Sequence, residues 1–546
     1  MTPTLFLLLT GLSLNGQNLA PTRVGVGAAQ TRLTLEEAAQ MALKNNLEIE
    51  IEKTSQASAR EAVKGARGFL DPLFQFQPSA ESRDTPTGSV LASATGKISE
   101  SFVGQNFRFR QRLPWQGASF RADFENLRQS TNNPFVSLNP FLTPRLTFGV
   151  SMPLWRDRLL DRERSELLIR RKQVDVSDVD FELRVIDVIA RVELAYYDLV
   201  GAREDVAVSE ESVKLAQEQL ERTRRMIEAG SVAPVELAAA EAELERRKDT
   251  YFTMLGQVTA AENNLKQLLA GGRDHEIWKD EIIPTSTARS DGPKGYELPD
   301  MVRTAVGKRA ELRAIDLRKL VNDQQRDQAV NQTKPAVNLT AGYASSGLAG
   351  TLLTTDNPFS GFQTLVAQRV NELSQSAGLP ALNTPSFGGV PTAFVGGYGQ
   401  SLANLFGAKY STFQAGLSFD LTLRNQAAHS AVAQTAIAER RLALDRKRAE
   451  QIIEAQVRNA LQSIETARQR TAAAEASARA AKEKLDSETR LFQTGESTNF
   501  LVLTRQNELA DSRRRVVAAT QEFNKSVARL ALALGSTLES YQMRLR

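Results

Sequence analysis

The sequence predicts a duplicated α+β chain in which very long coiled-coil hairpins alternate with short amphipathic strands. Three observations predict this fold class. One half of the chain repeats the other, the helical segments carry apolar residues seven apart, and other short segments alternate apolar and polar residues. At 546 residues the chain is also too long for one ordinary core, so more than one structural unit is expected.

The internal repeat is the strongest of the three observations, because it needs no gap over its longest stretch. A shift of 265 residues carries Gly230 onto Gly495 and aligns the apolar positions on both sides of each glycine. Both halves then have the same order: short helix, strand, loop, strand, very long helix, glycine turn, second long helix. We expect the repeats at 30–270 and 298–546, joined by a linker at 271–297 that is rich in Gly, Pro, Ser and Thr.

The long helical segments carry coiled-coil patterning. Apolar residues flanked by Glu, Arg, Lys and Gln stand seven apart at Val192, Leu199, Val206, Val213, Leu220 and Ile227. No proline occurs from Asp161 to Ala229, so one helix of roughly 100 Å is expected there. The heptad series resumes after Gly230, which predicts that the chain turns at this glycine and returns as a second helix.

Four segments have the period of two that is typical of strands with one apolar face: 106–110, 146–152, 337–340 and 416–421. Further alternation at 106–112 and 118–125, around Trp115, Gln116 and Gly117, indicates an additional hairpin. The sequence leaves open whether this hairpin lies in the sheet or outside it. Four strands cannot enclose a pore, because barrel width grows with strand number, so a closed barrel predicts several copies of the chain.

The N-terminal residues 1–29 are expected to be a signal peptide. Leu5 to Leu14 is an apolar run too short to span a bilayer, and small residues precede a cleavage site before Gln30, although no Lys or Arg stands before the run. Nowhere else are 18 consecutive residues apolar. If the protein crosses a membrane, we therefore expect strands closed into a barrel.

Composition argues against several classes of function. Basic and acidic residues nearly cancel, 68 against 64, so no one-signed patch for nucleic acid is expected. The absence of cysteine removes disulfides, thiolate nucleophiles and Cys-ligated zinc, and His275 and His429 are too far apart to suggest a metal site. No nucleotide-binding, zinc-protease or serine-hydrolase motif occurs. We expect no enzyme, no cofactor and no metal.

Several motifs resemble the TolC-like outer membrane efflux proteins, over nearly the whole chain after residue 30. In order they are Leu33 to Ala38 with Ala42 to Asn46, Met152 to Trp155 at a strand-to-helix junction, Ala229 to Glu236, and Gly495 to Leu503. Each motif alone is moderately specific. All of them in order, twice over, are very specific. The resemblance implies a homotrimer whose copies close one β-barrel in the outer membrane, continuous with an α-helical barrel in the periplasm.

The resemblance also implies a function. The chain would be the passive outer-membrane channel of a tripartite efflux or type I secretion system, in contact with outer-membrane lipid and served by a periplasmic adaptor and an inner-membrane pump. A periplasmic coiled-coil adaptor or scaffold is the alternative, although an adaptor would have one hairpin where this chain has two. The cargo, the class of pump and the selectivity of the gate stay open.

The resemblance places adaptor docking at the two glycine turns. The first comprises Gly230, Ser231, Val232, Ala233, Pro234 and Val235, and the second comprises Gly495, Glu496, Ser497, Thr498, Asn499 and Phe500. Leu501 and Thr504 stand where the family commonly carries the aspartates of a periplasmic gate, so an acidic gate is in doubt here. An insertion at about 345–409, with a helix-like stretch from Gln363 to Leu373, is expected on the cell exterior.

Overall fold

The computed structural model describes residues 23, 26, 27, 29–89, 92, 93, 95–286, 297–353, 358–381 and 389–541. The apolar run of the expected signal peptide lies outside the described residues. So do residues 287–296 of the expected linker, whose described part contains a short 3-10 helix at Glu276–Trp278 and a strand at Glu281–Pro284.

The helices follow the duplicated plan closely. They are α1 (Leu35–Asn45), α2 (Leu47–Arg67), α3 (Arg162–Glu228), α4 (Val235–Leu269), α5 (Leu298–Lys308), α6 (Ala310–Gln332), α7 (Pro358–Ser376), α8 (Tyr398–Phe406), α9 (Gln426–Gln493), α10 (Asn499–Leu534) and α11 (Thr537–Ser540). The long helices α3 and α9 have 67 and 68 residues, and their returning partners α4 and α10 have 35 and 36. The duplicated hairpins and the expected helix inside the insertion, within α7, are confirmed.

The strands form one large antiparallel sheet and one small parallel one. They are β1 (Gln30–Leu33), β2 (Leu73–Pro86), β3 (Lys97–Arg112), β4 (Ser119–Thr131), β5 (Leu138–Leu142), β6 (Arg145–Pro153), β7 (Glu281–Pro284), β8 (Ala336–Ser346), β9 (Ala349–Leu352) and β10 (Ser411–Asp420). The main path of the large sheet runs β10-β8-β6-β4-β3-β2, and β5 and β9 pair beside it. The small sheet joins β1 to β7.

The additional hairpin lies inside the sheet. Strands β3 and β4 pair with each other over 13 positions and separate β2 from β6. Their turn lies against the start of α3: Gly117 has φ +65° and its Cα faces the Asp157 carbonyl so closely that a Cβ would lie 2.6 Å from that oxygen. The expectation of four strands per chain is therefore wrong. The chain supplies six strands to the main path.

The chain divides into two compact units, each of which takes segments from both repeats. The first comprises 1–59, 173–319 and 441–546, and the second comprises 60–172 and 320–440. The expected repeat and linker boundaries stay a prediction.

In the first unit the heptad seams are the core. Val192, Leu199 and Leu265 have no exposed surface in one hairpin, and Val457 and Ile464 have none in the other. Short helices cap these seams. Thr34 begins α1 with a capping box, in which its hydroxyl accepts from the Glu37 N–H and the Glu37 carboxylate accepts from the Thr34 N–H. The heptad pattern thus predicted the packing of this unit correctly.

No described helix combines the length and apolar character needed to cross a bilayer.

Candidate functional site

The two predicted turns are built in the same way. Gly230 and Gly495 have φ of +71° and +83°, in the left-handed region that glycine enters without a Cβ penalty. At the first turn the Ser231 N–H donates to the Met226 carbonyl and the Gly230 N–H donates to the Ile227 carbonyl, both at 2.9 Å. The same pair of hydrogen bonds recurs at Gly495. This is the Schellman motif, which ends a helix by satisfying its last carbonyls.

The turns differ in how the next helix begins. Thr498 caps α10, its hydroxyl accepting from the Leu501 N–H at 3.4 Å. At the first turn Pro234 precedes α4 and makes no side-chain cap. Both turns carry an exposed apolar residue, since Val235 is 72% exposed and Phe500 is 70% exposed. Each tip therefore exposes a bulky apolar side chain that is not needed for packing within its own hairpin.

Asn499 ties the second tip to the first hairpin. Its side chain is 2% exposed. Gln219 Nε2 donates to Asn499 Oδ1 at 2.8 Å, and Asn499 Nδ2 donates to a Glu236 carboxylate oxygen at 3.3 Å. Of the predicted docking residues Asn499 is thus buried between the hairpins, whereas most of the others lie on the surface.

The predicted gate positions lie in the first two turns of α10. Leu501 is 37% exposed, while its neighbour Val502 is fully buried in the seam. The Thr504 hydroxyl donates to the Phe500 carbonyl of its own helix at 2.8 Å. Leu501 therefore lies beside the seam and not in it.

Sequence reasoning missed a buried arginine next to these positions. Arg247 is 4% exposed and pairs with Glu243 at 2.9 Å. It also donates to the Ser212 carbonyl at 3.0 Å and to the Leu503 carbonyl at 3.5 Å, so it joins α3, α4 and α10. A signal did exist, because Arg247 stands three residues after Leu244 and seven after Ala240, at an inward heptad position.

Burial and hydrogen bonding act on this pair in opposite directions. Burial lowers the pKa of the Arg247 guanidinium, although Glu243 opposes this change. Burial raises the pKa of Glu243, but hydrogen bonds from Arg246 and Arg247 outweigh it and bring the pKa below its ordinary value. Glu243 therefore carries its negative charge at neutral pH, beside the Arg247 guanidinium.

The large sheet has one apolar face and one polar face. Paired residues lie on the same face, so the register places Phe76, Phe107 and Phe124 side by side, with ring centroids 4.7 Å and 6.2 Å apart. Much of this face is exposed. Its exposed members include Phe74, Phe76, Val103, Phe148, Val150, Leu339, Phe413, Leu417 and Phe419. An apolar surface of this extent on a sheet is suited to lipid.

The opposite face is polar and borders a cavity. One row across all six strands consists of Gln75, Arg108, Asp123, Thr147, Ala344 and Thr412. A cavity of about 670 Å³ opens on this face. An apolar face opposite a polar face that borders a cavity is the pattern expected for the wall of a water-filled channel.

A family model decides the identity of the chain. The model of the outer membrane efflux protein family matches residues 145–271 and 301–536, about two thirds of the chain. The chain belongs to the outer membrane efflux protein family. It is an outer-membrane channel of tripartite efflux systems, as the sequence predicted. No curated protein sequence matches it.

Solved structures of outer-membrane efflux channels have the same fold. The CmeC outer membrane channel of Campylobacter jejuni is 15% identical with a TM-score of 0.61, over 98% of this chain and 94% of that one. VceC of Vibrio cholerae is 14% identical with a TM-score of 0.58, over 92% and 96%. The open state of the Neisseria gonorrhoeae MtrE channel is 15% identical with a TM-score of 0.57, over 92% and 89%.

Family membership and these structures confirm three predictions: a fold of strands and long helical hairpins like that of outer-membrane efflux channels, the place in the outer membrane reaching into the periplasm, and a channel in place of an enzyme. Channels of this family are trimers that work with adaptor and inner-membrane pump partners. Among the described residues no group of His, Cys, Asp or Glu is arranged to hold a metal ion.

Proposed function

We propose that three copies of this chain close one barrel, that the two helical tips dock a periplasmic adaptor, and that Leu501 and Thr504 line a constriction near those tips. Cargo delivered by an inner-membrane pump would then pass along the polar face of the sheet to the exterior. The insertion at about 345–409 would lie at the outer end of this path.

The observation that carries the trimer is the pair of open sheet edges. Every residue of β2 and every residue of β10 is exposed in the single chain. Five antiparallel pairings separate these edges, so β2 and β10 run in opposite directions. The β10 edge of one copy can therefore pair with the β2 edge of the next in antiparallel fashion, and unpaired edges within a bilayer are too costly to persist.

The exposed apolar residues of the tips support adaptor docking. Val235→Asp with Phe500→Asp should abolish most export while the trimer stays in the outer membrane, because a charge replaces the apolar contact and neither residue is needed by the fold. Export would be measured as accumulation of a fluorescent pump substrate, and assembly as detergent-resistant trimer. Normal export by this variant would contradict docking at the tips.

The glycines offer a second test of the tips. Gly230→Val with Gly495→Val forces a β-branched residue into a left-handed conformation, which costs about 1–2 kcal/mol or more at each turn, and export should fall. The control is Gly256→Val, since Gly256 is exposed in the middle of α4, has open space around it and has no positive φ. Equal loss of export in the control would show that the effect is not specific to the turns.

A further inference from the structure

The polar face of the sheet contains a row of residues that is unlike its neighbours. The register aligns Arg110, Arg121, Gly149, Gly342 and Gln414 across β3, β4, β6, β8 and β10. Arg110 and Arg121 are directly opposite each other on adjacent strands. Like charges in this arrangement are destabilising, so the pattern works against the stability of the sheet. Violations of this kind are expected where a site has a function.

In the part of the chain that the structure describes, neither guanidinium forms an ion pair. Among the residues that the structure describes, neither Arg110 nor Arg121 has a carboxylate oxygen within ion-pair distance, whereas Arg112 in the next row is 2.7 Å from Glu163. The other charges of the face lie in other rows. In the next two rows, on the side away from Arg112, Arg108 is opposite Asp123 and Arg145 is opposite Glu125. The only described acidic residue lining the same cavity is Asp71.

One glycine gives Arg121 room, and a second glycine extends the same surface. A Cβ at Gly149 would lie 2.6 Å from Arg121 Nε and 3.0 Å from Arg121 Cγ, so the arginine side chain extends over the bare backbone of β6. Gly342 continues this shallow surface on β8 and forms part of the same cavity. The row thus holds two guanidinium groups beside a shallow cavity, with Arg121 lying over Gly149 and no side chain at Gly342.

We infer that this row is an anion-binding ring in the channel lumen, which selects cargo bearing carboxylate or phosphate groups. The inference rests on the proposed function, because three copies bring six arginines to one level of the pore. Guanidinium groups bind carboxylate and phosphate oxygens through two parallel hydrogen bonds. Rings of arginine favour anions in pores. The apolar side of the sheet faces lipid, so the ring meets cargo and not lipid headgroups.

Ion selectivity gives the first test. The purified trimer in a planar bilayer under a KCl gradient should show a reversal potential of the sign that indicates chloride preference. Arg110→Gln with Arg121→Gln should lower the chloride-to-potassium permeability ratio by about tenfold. The control is Arg128→Gln, which removes one arginine charge from β4 but from the opposite face of the sheet. An open channel whose selectivity is unchanged in the double variant would overturn the inference.

Binding gives a second test that needs no open channel. Inorganic phosphate should raise the Tm of the trimer relative to chloride at equal ionic strength, and the rise should vanish in the double Gln variant. Arg110→Lys with Arg121→Lys keeps the charge but loses the forked geometry, so selectivity should persist while stabilisation by phosphate weakens. The same rise in Tm in the native and Gln proteins would overturn the ring. A trimer that binds phosphate but conducts no ions would contradict the proposed channel and still support anion binding by the arginine row.

Discussion

Arg247 shows how a single residue links the two hairpins near their tips. It is buried, it is paired with Glu243, and it donates to backbone carbonyls of two other helices. We expect Glu243→Gln to destabilise the folded chain by about 3 kcal/mol, because an uncompensated charge is left buried. The loss would be measured as a lower urea midpoint for the periplasmic helices.

The matched control for this prediction is Glu245→Gln. Glu245 lies two residues away on the same helix, and its partner Lys248 is a surface neighbour at 2.7 Å. Exposed pairs contribute little, so the change should be within about 0.5 kcal/mol. Equal effects of the two substitutions would show that Arg247 has no special role.

The pH dependence of this link follows from the lowered pKa of Glu243. A carboxyl group whose folded pKa lies below its unfolded pKa stabilises the folded state at pH values above the unfolded pKa. That stabilisation is lost as the pH falls through the folded value. Stability should therefore fall more steeply on acidification in the native protein than in Glu243→Gln. The stability difference between the two proteins should be full at pH 7 and shrink as the solution is acidified below the ordinary carboxyl range.

A single substitution at Leu501 distinguishes a side chain that faces the lumen from one that packs against a neighbouring helix. If it faces the lumen, three leucines resist wetting, and Leu501→Asp should give a trimer of ordinary stability with higher cation conductance and block by multivalent cations. The adjacent control is Val502→Asp, which places a charge in the fully buried seam and should prevent assembly. A Leu501→Asp trimer that is destabilised but conducts as before would discard the gate.

At the scale of elements, the β3–β4 hairpin carries a lipid-facing and a lumen-facing side. Phe107→Arg puts a charge among the stacked rings of the apolar face and should cost about 2–4 kcal/mol of barrel stability. Asn106→Arg, one residue away on the polar face, should be tolerated. The two variants would be compared by urea unfolding in lipid vesicles, and equal destabilisation would show that the faces are assigned wrongly.

The elements also differ in how far the sequence could predict them. The long helices and their turns depend on local patterns: heptads for the seams and a glycine with positive φ for each reversal. Strand number was missed because pairing is not local, and because β2 loses its alternation after Ala80, where Glu81 to Pro86 is almost wholly polar. Nothing in the alternation of β3 and β4 distinguishes a hairpin inside the sheet from one outside it. Only the register with β2 and β6 does.

The candidate site was predicted unevenly for a similar reason. The turn glycines are visible as interruptions of a periodic pattern. Arg110 and Arg121 lie 11 residues apart in the chain and look like ordinary polar members of two alternating strands. Their direct opposition appears only when the register of β3 and β4 is known.

At the scale of the whole molecule, the open edges predict where neighbouring copies meet. The chain has no cysteine, so disulfides between introduced cysteines form without competition from native thiols. Gln414→Cys on β10, combined in turn with single cysteines along β2, should give disulfide-linked dimers and trimers at one register. Thr340→Cys on β8 is the control, because that strand is already paired on both sides within its own chain. Absence of crosslinks at every β2 position would contradict closure through these edges.

The additional β3–β4 hairpin shows how the number of strands in such a sheet can change. A single added strand would reverse the direction of every later one, and the chain would leave β6 at the end of the sheet opposite to the start of α3. A hairpin adds one outward and one returning strand, so everything downstream keeps its orientation. Chains built on this plan can therefore widen only in steps of two strands, and a threefold assembly only in steps of six. Pore diameter on this plan is therefore set by a whole number of hairpins.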